Sequence, residues 1–319
     1  MEDTRTRGRG LELLAVLLVA AVVARGWVGG AFGSPRAQEW VTVFVAIVVQ
    51  AMPFVVLGTL LSAAIATLVP ERFFARALPS RPALAVPVAG VAGLALPGCE
   101  CASVPVAGAL MRRGVTPAAA LAFLLAAPAI NPVVLAATAV AFPGRPAMVL
   151  ARLVASLATS LAMGWLWLRL GRDEWLRTPR RAAVDGSRAS AYFAAVRQDA
   201  ADAAGFLVIG AAAAACLNVL VPQRWLHTVA EHPAVAVVAL AGLAVLLSIC
   251  SEADAFVAAS LSQFSLTARL AFLVVGPMVD LKLFAMQAGT FGRRFAVRFA
   301  PATFAVGVAL AVLTGGVLL

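Results

Sequence analysis

The residues most able to do chemistry sit where chemistry is costly. Leu96-Pro97-Gly98-Cys99-Glu100-Cys101-Ala102-Ser103-Val104-Pro105 places two thiols and a carboxylate beside a helix-breaking Pro-Gly pair, inside otherwise apolar sequence. At membrane depth, ionisable groups mark a pathway or a binding site. Irregular backbone survives there only when packed in protein or lining a cavity. Thiolates are soft ligands that select Cu(I), Zn and thiophilic metalloids over Mg or Ca. Two cysteines one residue apart cannot share a helix face, but an irregular turn lets them, and Pro97-Gly98 supplies one. A half-helix starting at Cys99 would favour the reactive thiolate.

Two further clusters share this character. Ser248, Cys250, Ser251, Glu252 and Asp254 interrupt a second long apolar stretch. Ala127-Pro128-Ala129-Ile130-Asn131-Pro132 and Gly276-Pro277-Met278-Val279-Asp280-Leu281-Lys282 each break a later span, and Lys282 is the one lysine of the chain. Asp280 and Lys282 either form a pair that neutralises itself, or Asp280 loads a coupling proton under the influence of Lys282. Residues at i and i+2 do not face each other on an intact helix, so this pair implies a broken one or separate partners. The substrate-binding candidates are therefore Cys99, Glu100, Cys101, Asn131, Cys250, Glu252, Asp254, Asp280 and Lys282, with Cys99, Cys101 and Cys250 as ligands of a transported soft metal or metalloid. Cys216, within an alanine-rich run, reads as packing. Arg112 and Arg113 read as topological anchors, His227 and His232 as solvated loop residues, and Gln50 and Met52 as helix packing or pathway lining.

The elements that must hold these residues follow from composition. The chain is 62% hydrophobic, 13% charged and has a mean hydropathy of +0.96. Apolar runs of spanning length recur at about 11–28, 38–69, 83–112, 117–141, 146–170, 192–221, 234–264, 267–291 and 294–318. This predicts an all-α polytopic membrane protein. The net charge of +10 comes from 24 arginines and one lysine against the acidic residues, and the arginines fall at helix ends, as topology signals and phospholipid contacts do. No nucleic-acid motif is present. The four cysteines are too few and too apolar in context for a secreted disulfide scaffold. Residues 1–37 carry an extra first helix, read as retained rather than cleaved. Residues 38–170 and 191–319 form two transmembrane repeats, and 171–190 is a polar cytosolic linker.

The repeats are legible as a diverged duplication. Pro53-Phe54-Val55-Val56-Leu57-Gly58 matches Gly205-Phe206-Leu207-Val208-Ile209-Gly210, and Leu121-Ala122-Phe123-Leu124 matches Leu270-Ala271-Phe272-Leu273. Cys99 then falls opposite Cys250 and Asn131 opposite Asp280. The third and seventh segments, 83–112 and 234–264, are long with a polar centre, so each is either one broken span or a hairpin. With a cytosolic N-terminus, full crossings put 12 arginines inside and 12 outside, whereas two re-entrant hairpins put 18 inside and 6 outside. The positive-inside rule selects the hairpins. About seven full transmembrane helices and two re-entrant hairpins result, as an inverted repeat of the kind secondary transporters use, with the site where the hairpin tips meet.

The run Pro97-Gly98-Cys99-Glu100-Cys101, then Val104-Pro105-Val106, Arg113-Gly114-Val115, Ala126–Pro132 and Gly276–Lys282, resembles a predicted-permease family that includes organoarsenical and copper or zinc efflux permeases. The resemblance covers roughly residues 38–310. It implies a bacterial inner-membrane permease that exports a thiophilic metal or metalloid such as a trivalent organoarsenical, with the thiol role on Cys99 and Cys101. Other readings are transport of Zn, Cu or a small anion, in either direction, and, more remotely, a membrane thiol oxidoreductase, although no Cys-x-x-Cys motif is present. No cofactor is expected. The chain has no phosphate-loop motif, so energy comes from an ion gradient, such as protons, from the substrate's own gradient, or from a partner subunit; a partner subunit or a homo-oligomer is the expected assembly.

Overall fold

The computed structural model describes residues 35–68, 78–79, 81–95, 100–177, 188–220, 233–251 and 253–319. The first apolar segment, 11–28, and the motif residues Cys99 and Glu252 lie outside the described residues, as do His227 and His232. Among the described residues all regular structure is helical. The α-helices are α1 (Pro35–Thr67), α2 (Pro82–Ala92), α3 (Glu100–Arg112), α4 (Pro117–Ile130), α5 (Pro132–Ala141) and α6 (Pro146–Leu170) in the first half. The second half holds α7 (Arg188–Leu220), α8 (Pro233–Leu247), α9 (Asp254–Ser260), α10 (Leu266–Val275), α11 (Leu281–Phe291) and α12 (Arg293–Leu318).

Proline sets many of these boundaries. Pro82, Pro117, Pro132 and Pro146 each open a helix at its first turn, where a missing N–H costs nothing. Among the described residues, four stretches are long and apolar enough to cross a membrane: Pro35–Ile65, Pro117–Ala141, Pro146–Leu170 and Arg293–Leu318. The apolar run 267–291 is not a continuous helix, because residues 276–280 leave helical geometry between α10 and α11. The run 117–141 is broken more gently, at Asn131, whose backbone is extended between α4 and α5.

Helix directions follow from close approaches. Gly164 of α6 abuts Val86 of α2 together with Ala118 and Ala122 of α4, and Gly93, just after α2, abuts Ala126 and Ala127. Positions on α2 and α4 thus rise together, and the two helices are parallel. The tight turn at Gly114, whose φ of +82° suits glycine, sends α4 back along α3. It follows that α2 and α3 run in opposite directions. The second half does the same: Ala244, near the end of α8, and Asp254, at the start of α9, both approach Gly276 at the end of α10.

The halves pack by one scheme. α2 lies on α4 as α8 lies on α10, α4 on α6 as α10 on α12, and α1 meets α7 while α6 meets α12. Further contacts between the halves bring α3 onto α11 and α9 onto α5.

Candidate functional site

Two buried ion pairs join the halves. In the first, Glu100 opens α3 and Lys282 lies in the first turn of α11, with Lys282 Nζ 2.5 Å from Glu100 Oε1. Both residues are buried. Lys282 Nζ also donates to the Ser248 carbonyl at 2.9 Å and stands 3.6 Å from Asp280 Oδ2. Asp280 is the N-cap of α11, its Oδ1 accepting from the Leu283 N–H at 2.6 Å, which satisfies one of the orphan donors of that helix. The sequence-level pair of Asp280 and Lys282 is thus real but secondary, and the nearer partner of the lysine is Glu100 from the other half. Its i, i+2 spacing works because Asp280 sits outside the helix, at φ −143° and ψ 173°.

Ser248 stitches this site together. It is a non-glycine residue with φ of 48°, a left-handed conformation that costs on the order of 1 kcal/mol and persists only where surroundings enforce it. Its carbonyl takes the lysine, its hydroxyl accepts from the Leu281 N–H at 3.3 Å and donates to the Val245 carbonyl at 2.9 Å. Cys101, next to Glu100 on α3, and Cys250, two residues past Ser248, are both buried. A thiol from each half thus neighbours in sequence a group that holds the lysine. Glycine lets the framework close in: a Cβ on Gly210 of α7 would overlap the Lys282 backbone, and one on Gly58 of α1 would overlap Ala102. These are the matched glycines of the repeat, each pressed against a site-bearing helix.

The second pair belongs to Arg152, fully buried in α6. Its Nη2 lies 2.9 Å from Asp254 Oδ2 and 3.3 Å from the Ser251 carbonyl, and its Nη1 donates to Thr138 Oγ1 on α5 at 2.8 Å. The expected single cluster of tip carboxylates is accordingly divided: Glu100 and Asp280 attend Lys282, and Asp254 attends Arg152. Physically, each buried cation must be matched locally, since an unpaired charge in the apolar interior is far costlier than a paired one. Arg152 departs from the expectation that the arginines fall at helix ends, since it lies inside α6. The signal for it was present, a lone arginine in the apolar run Met148–Leu157.

Asn131 holds the position in α5 that Asp280 holds in α11. Its Oδ1 accepts from the Val134 N–H at 3.0 Å and its Nδ2 donates to the Ala127 carbonyl at 3.1 Å. It caps a helix and is buried. Cys216 is exposed rather than packed inside, and its sulfur accepts from the Trp40 indole at 3.1 Å. Arg112 does more than anchor: it stands 3.8 Å from Asp199 of α7, and Ser62 of α1 donates to that same carboxylate. Among the described residues no group of three or more His, Cys, Asp and Glu could hold a metal ion.

Comparison with known proteins places the chain. A family described as predicted permeases matches residues 36–316, and the chain belongs to that family. It is 36% identical over 278 residues to the UPF0718 protein YcgR of Bacillus subtilis, covering 85% of this chain and 94% of that one. It is 30% identical over 270 residues to a Streptococcus mutans protein whose name describes a subunit of a two-component membrane permease complex, covering 82% and 90%. No solved structure matches. Family and helices together make this a multi-pass membrane transporter.

Proposed function

We propose that this permease is a secondary transporter of the bacterial inner membrane that exports a thiophilic metal or metalloid species, such as a trivalent organoarsenical, through a site between two re-entrant hairpins. The hairpins are α2–α3 and α8–α9, the repeats are inverted, and the N-terminus is cytosolic. The observation that carries the reading is the Lys282–Glu100 pair that joins the halves, with buried Cys101 next to Glu100 in sequence and buried Cys250 two residues after Ser248, whose carbonyl takes Lys282. Thiols are the soft donors that thiophilic species select. Cys99, adjacent to Glu100 in sequence, adds the third thiol.

The hairpin topology draws support from where the linker lies. The Arg177 N–H donates to the Phe291 carbonyl at 2.8 Å, and the guanidinium of Arg298 sits 4.9 Å from the Trp175 ring. The segment after α6 and the junction of α11 with α12 thus share one end of the bundle. With re-entrant hairpins both are cytosolic. With every segment crossing, they fall on opposite faces.

The test is uptake into everted membrane vesicles of methylarsenite, arsenite, Zn(II) and Cu(I), with wild type beside Cys99→Ser, Cys101→Ser and Cys250→Ser. Accumulation of one substrate that falls at least about tenfold in the variants is expected, equivalent to roughly 1.4 kcal/mol of lost interaction. Accumulation that survives all three changes rejects the thiols as ligands. Preference for Zn(II) or Cu(I) reassigns the cargo to a metal ion. The homologue described as a complex subunit makes co-expression with a partner the arm to add if no substrate accumulates.

A further inference from the structure

The turn that joins α5 to α6 ends on an arginine that the rest of the molecule does not use. Arg145 is exposed and directly precedes Pro146, which opens α6. Other arginines are engaged by protein oxygens. Arg112 reaches Asp199, Arg113 Nε donates to the Ile65 carbonyl at 3.0 Å, and Arg152 holds Asp254. Arg269 donates to the Ser262 and Phe264 carbonyls at 2.7 and 3.1 Å. The Arg145 guanidinium donates to nothing among the described residues. Nor does the sequence offer it an acid nearby, since no Asp or Glu occurs from 101 to 172.

The same arginine lines a groove. A cavity of about 480 Å³ lies between the end of α5 and the first turns of α6, bounded by Ala139, Phe142, Val149, Leu150 and Leu153, with Arg145 its one charged lining residue. Small-molecule sites span about 300–1,000 Å³ and share this make-up, an apolar lining with few polar groups that orient the occupant. From Arg145 to Leu153 the lining follows about 12 Å of helix rise, so the charge stands at one end of an apolar wall. The place of the groove in the bilayer narrows the occupant. α6 has 25 residues, and its rise of about 38 Å exceeds a hydrocarbon core of about 30 Å. The turn before it therefore stands among lipid headgroups, and the groove descends from there towards the acyl chains. Val140, Leu150 and Val154 are exposed around it, as lipid-facing residues are.

We propose that this groove is a binding site for one anionic phospholipid, with its phosphate on Arg145 and an acyl chain along Val149, Leu150 and Leu153. A guanidinium meets phosphate oxygens through two parallel N–H donors, and the headgroup layer is where phosphates are found. The lining also selects headgroup charge. It holds no carboxylate to receive the ammonium of a zwitterionic lipid, so a net anion is the better match for a lone arginine. The site is separate from the buried Lys282 and Arg152 pairs and does not depend on the cargo.

The experiment is photo-crosslinking of the full chain in phosphatidylcholine nanodiscs. These are doped with phosphatidylglycerol or with phosphatidylcholine carrying a diazirine in the acyl chain, and the labelled peptides are mapped. Phosphatidylglycerol should label residues 139–153 about fivefold more than phosphatidylcholine does, the ratio that about 1 kcal/mol per basic side chain near anionic lipid gives. The exposed middle of α1, around Val49, carries no arginine and should show no such ratio. In Arg145→Gln the ratio at 139–153 should fall to about one. Equal labelling of the groove by both lipids, labelling by neither, or a ratio that survives Arg145→Gln overturns the proposal. Arg145 is exposed in a turn, so the variant should fold. Should it not, excess unlabelled phosphatidylglycerol must displace the label from the unmodified chain where phosphatidylcholine does not, and equal displacement overturns the proposal as well.

Discussion

At the scale of single residues, the buried charges set the stability of the site. Lys282, Glu100, Arg152 and Asp254 are all buried, and each pair joins the two halves. Removing one partner of a buried pair costs about 3–5 kcal/mol because the other is stranded. Lys282→Met strands two carboxylates, so it should destabilise the solubilised protein more than Glu100→Gln, which relieves the excess anion. Thermal unfolding in detergent checks the order, and equal losses would mean that Glu100 and Asp280 do not compete. For the second pair, Arg152→Met alone should cost about 3–5 kcal/mol, and adding Asp254→Leu should recover most of it. No recovery would give Arg152 a role beyond neutralising Asp254. Of these residues Glu100, Asp254, Asp280 and Lys282 were legible in the sequence, because charge inside an apolar run is conspicuous. Their pairing was not, since partners such as Arg152 and Asp254 lie 102 positions apart.

At the scale of elements, close backbone approach is what holds the first turn of α11. Gly210 lies against Lys282, and a methyl group there would force α7 and α11 apart. Gly210→Ala should cost about 1–3 kcal/mol, in the range of overpacking a close-packed interface, and should impair transport through the displaced lysine. Gly205→Ala, earlier in the same helix with open space around it, is the control and should be neutral. If both behave alike, the contact with Lys282 is not what Gly210 is for. The match of Gly58 with Gly210 was readable as a repeat. That each glycine abuts a site-bearing helix was not, because nothing in a glycine's neighbours along the chain names the helix it touches.

At the scale of the whole molecule, the arrangement decides which ends share a face. The segment around Trp175 and the α11–α12 junction are bound together, while Gly144 and the turn at Ser262 lie in the loops before α6 and α10. Single cysteines at Glu174 and Arg294 should be labelled by an impermeant reagent from the cytosolic side, and those at Gly144 and Ser262 from the other. Labelling of Glu174→Cys and Arg294→Cys from opposite faces would refute the re-entrant hairpins. Exposed Cys216 must first be replaced to give a clean background.

Composition and apolar run length by themselves determined the membrane class and the helical architecture, because a bilayer admits few solutions to backbone hydrogen bonding. Proline and glycine positions marked the breaks at Asn131 and at 276–280, since those residues act on their own backbone. Internal similarity marked Asn131 and Asp280 as counterparts. Only the tertiary structure divided the acidic residues between Lys282 and Arg152 and made Glu100, from the other half, the nearer partner of the lysine. Those outcomes depend on which helices cross between halves. Crossing is settled by packing between segments remote in sequence, and no local pattern encodes it.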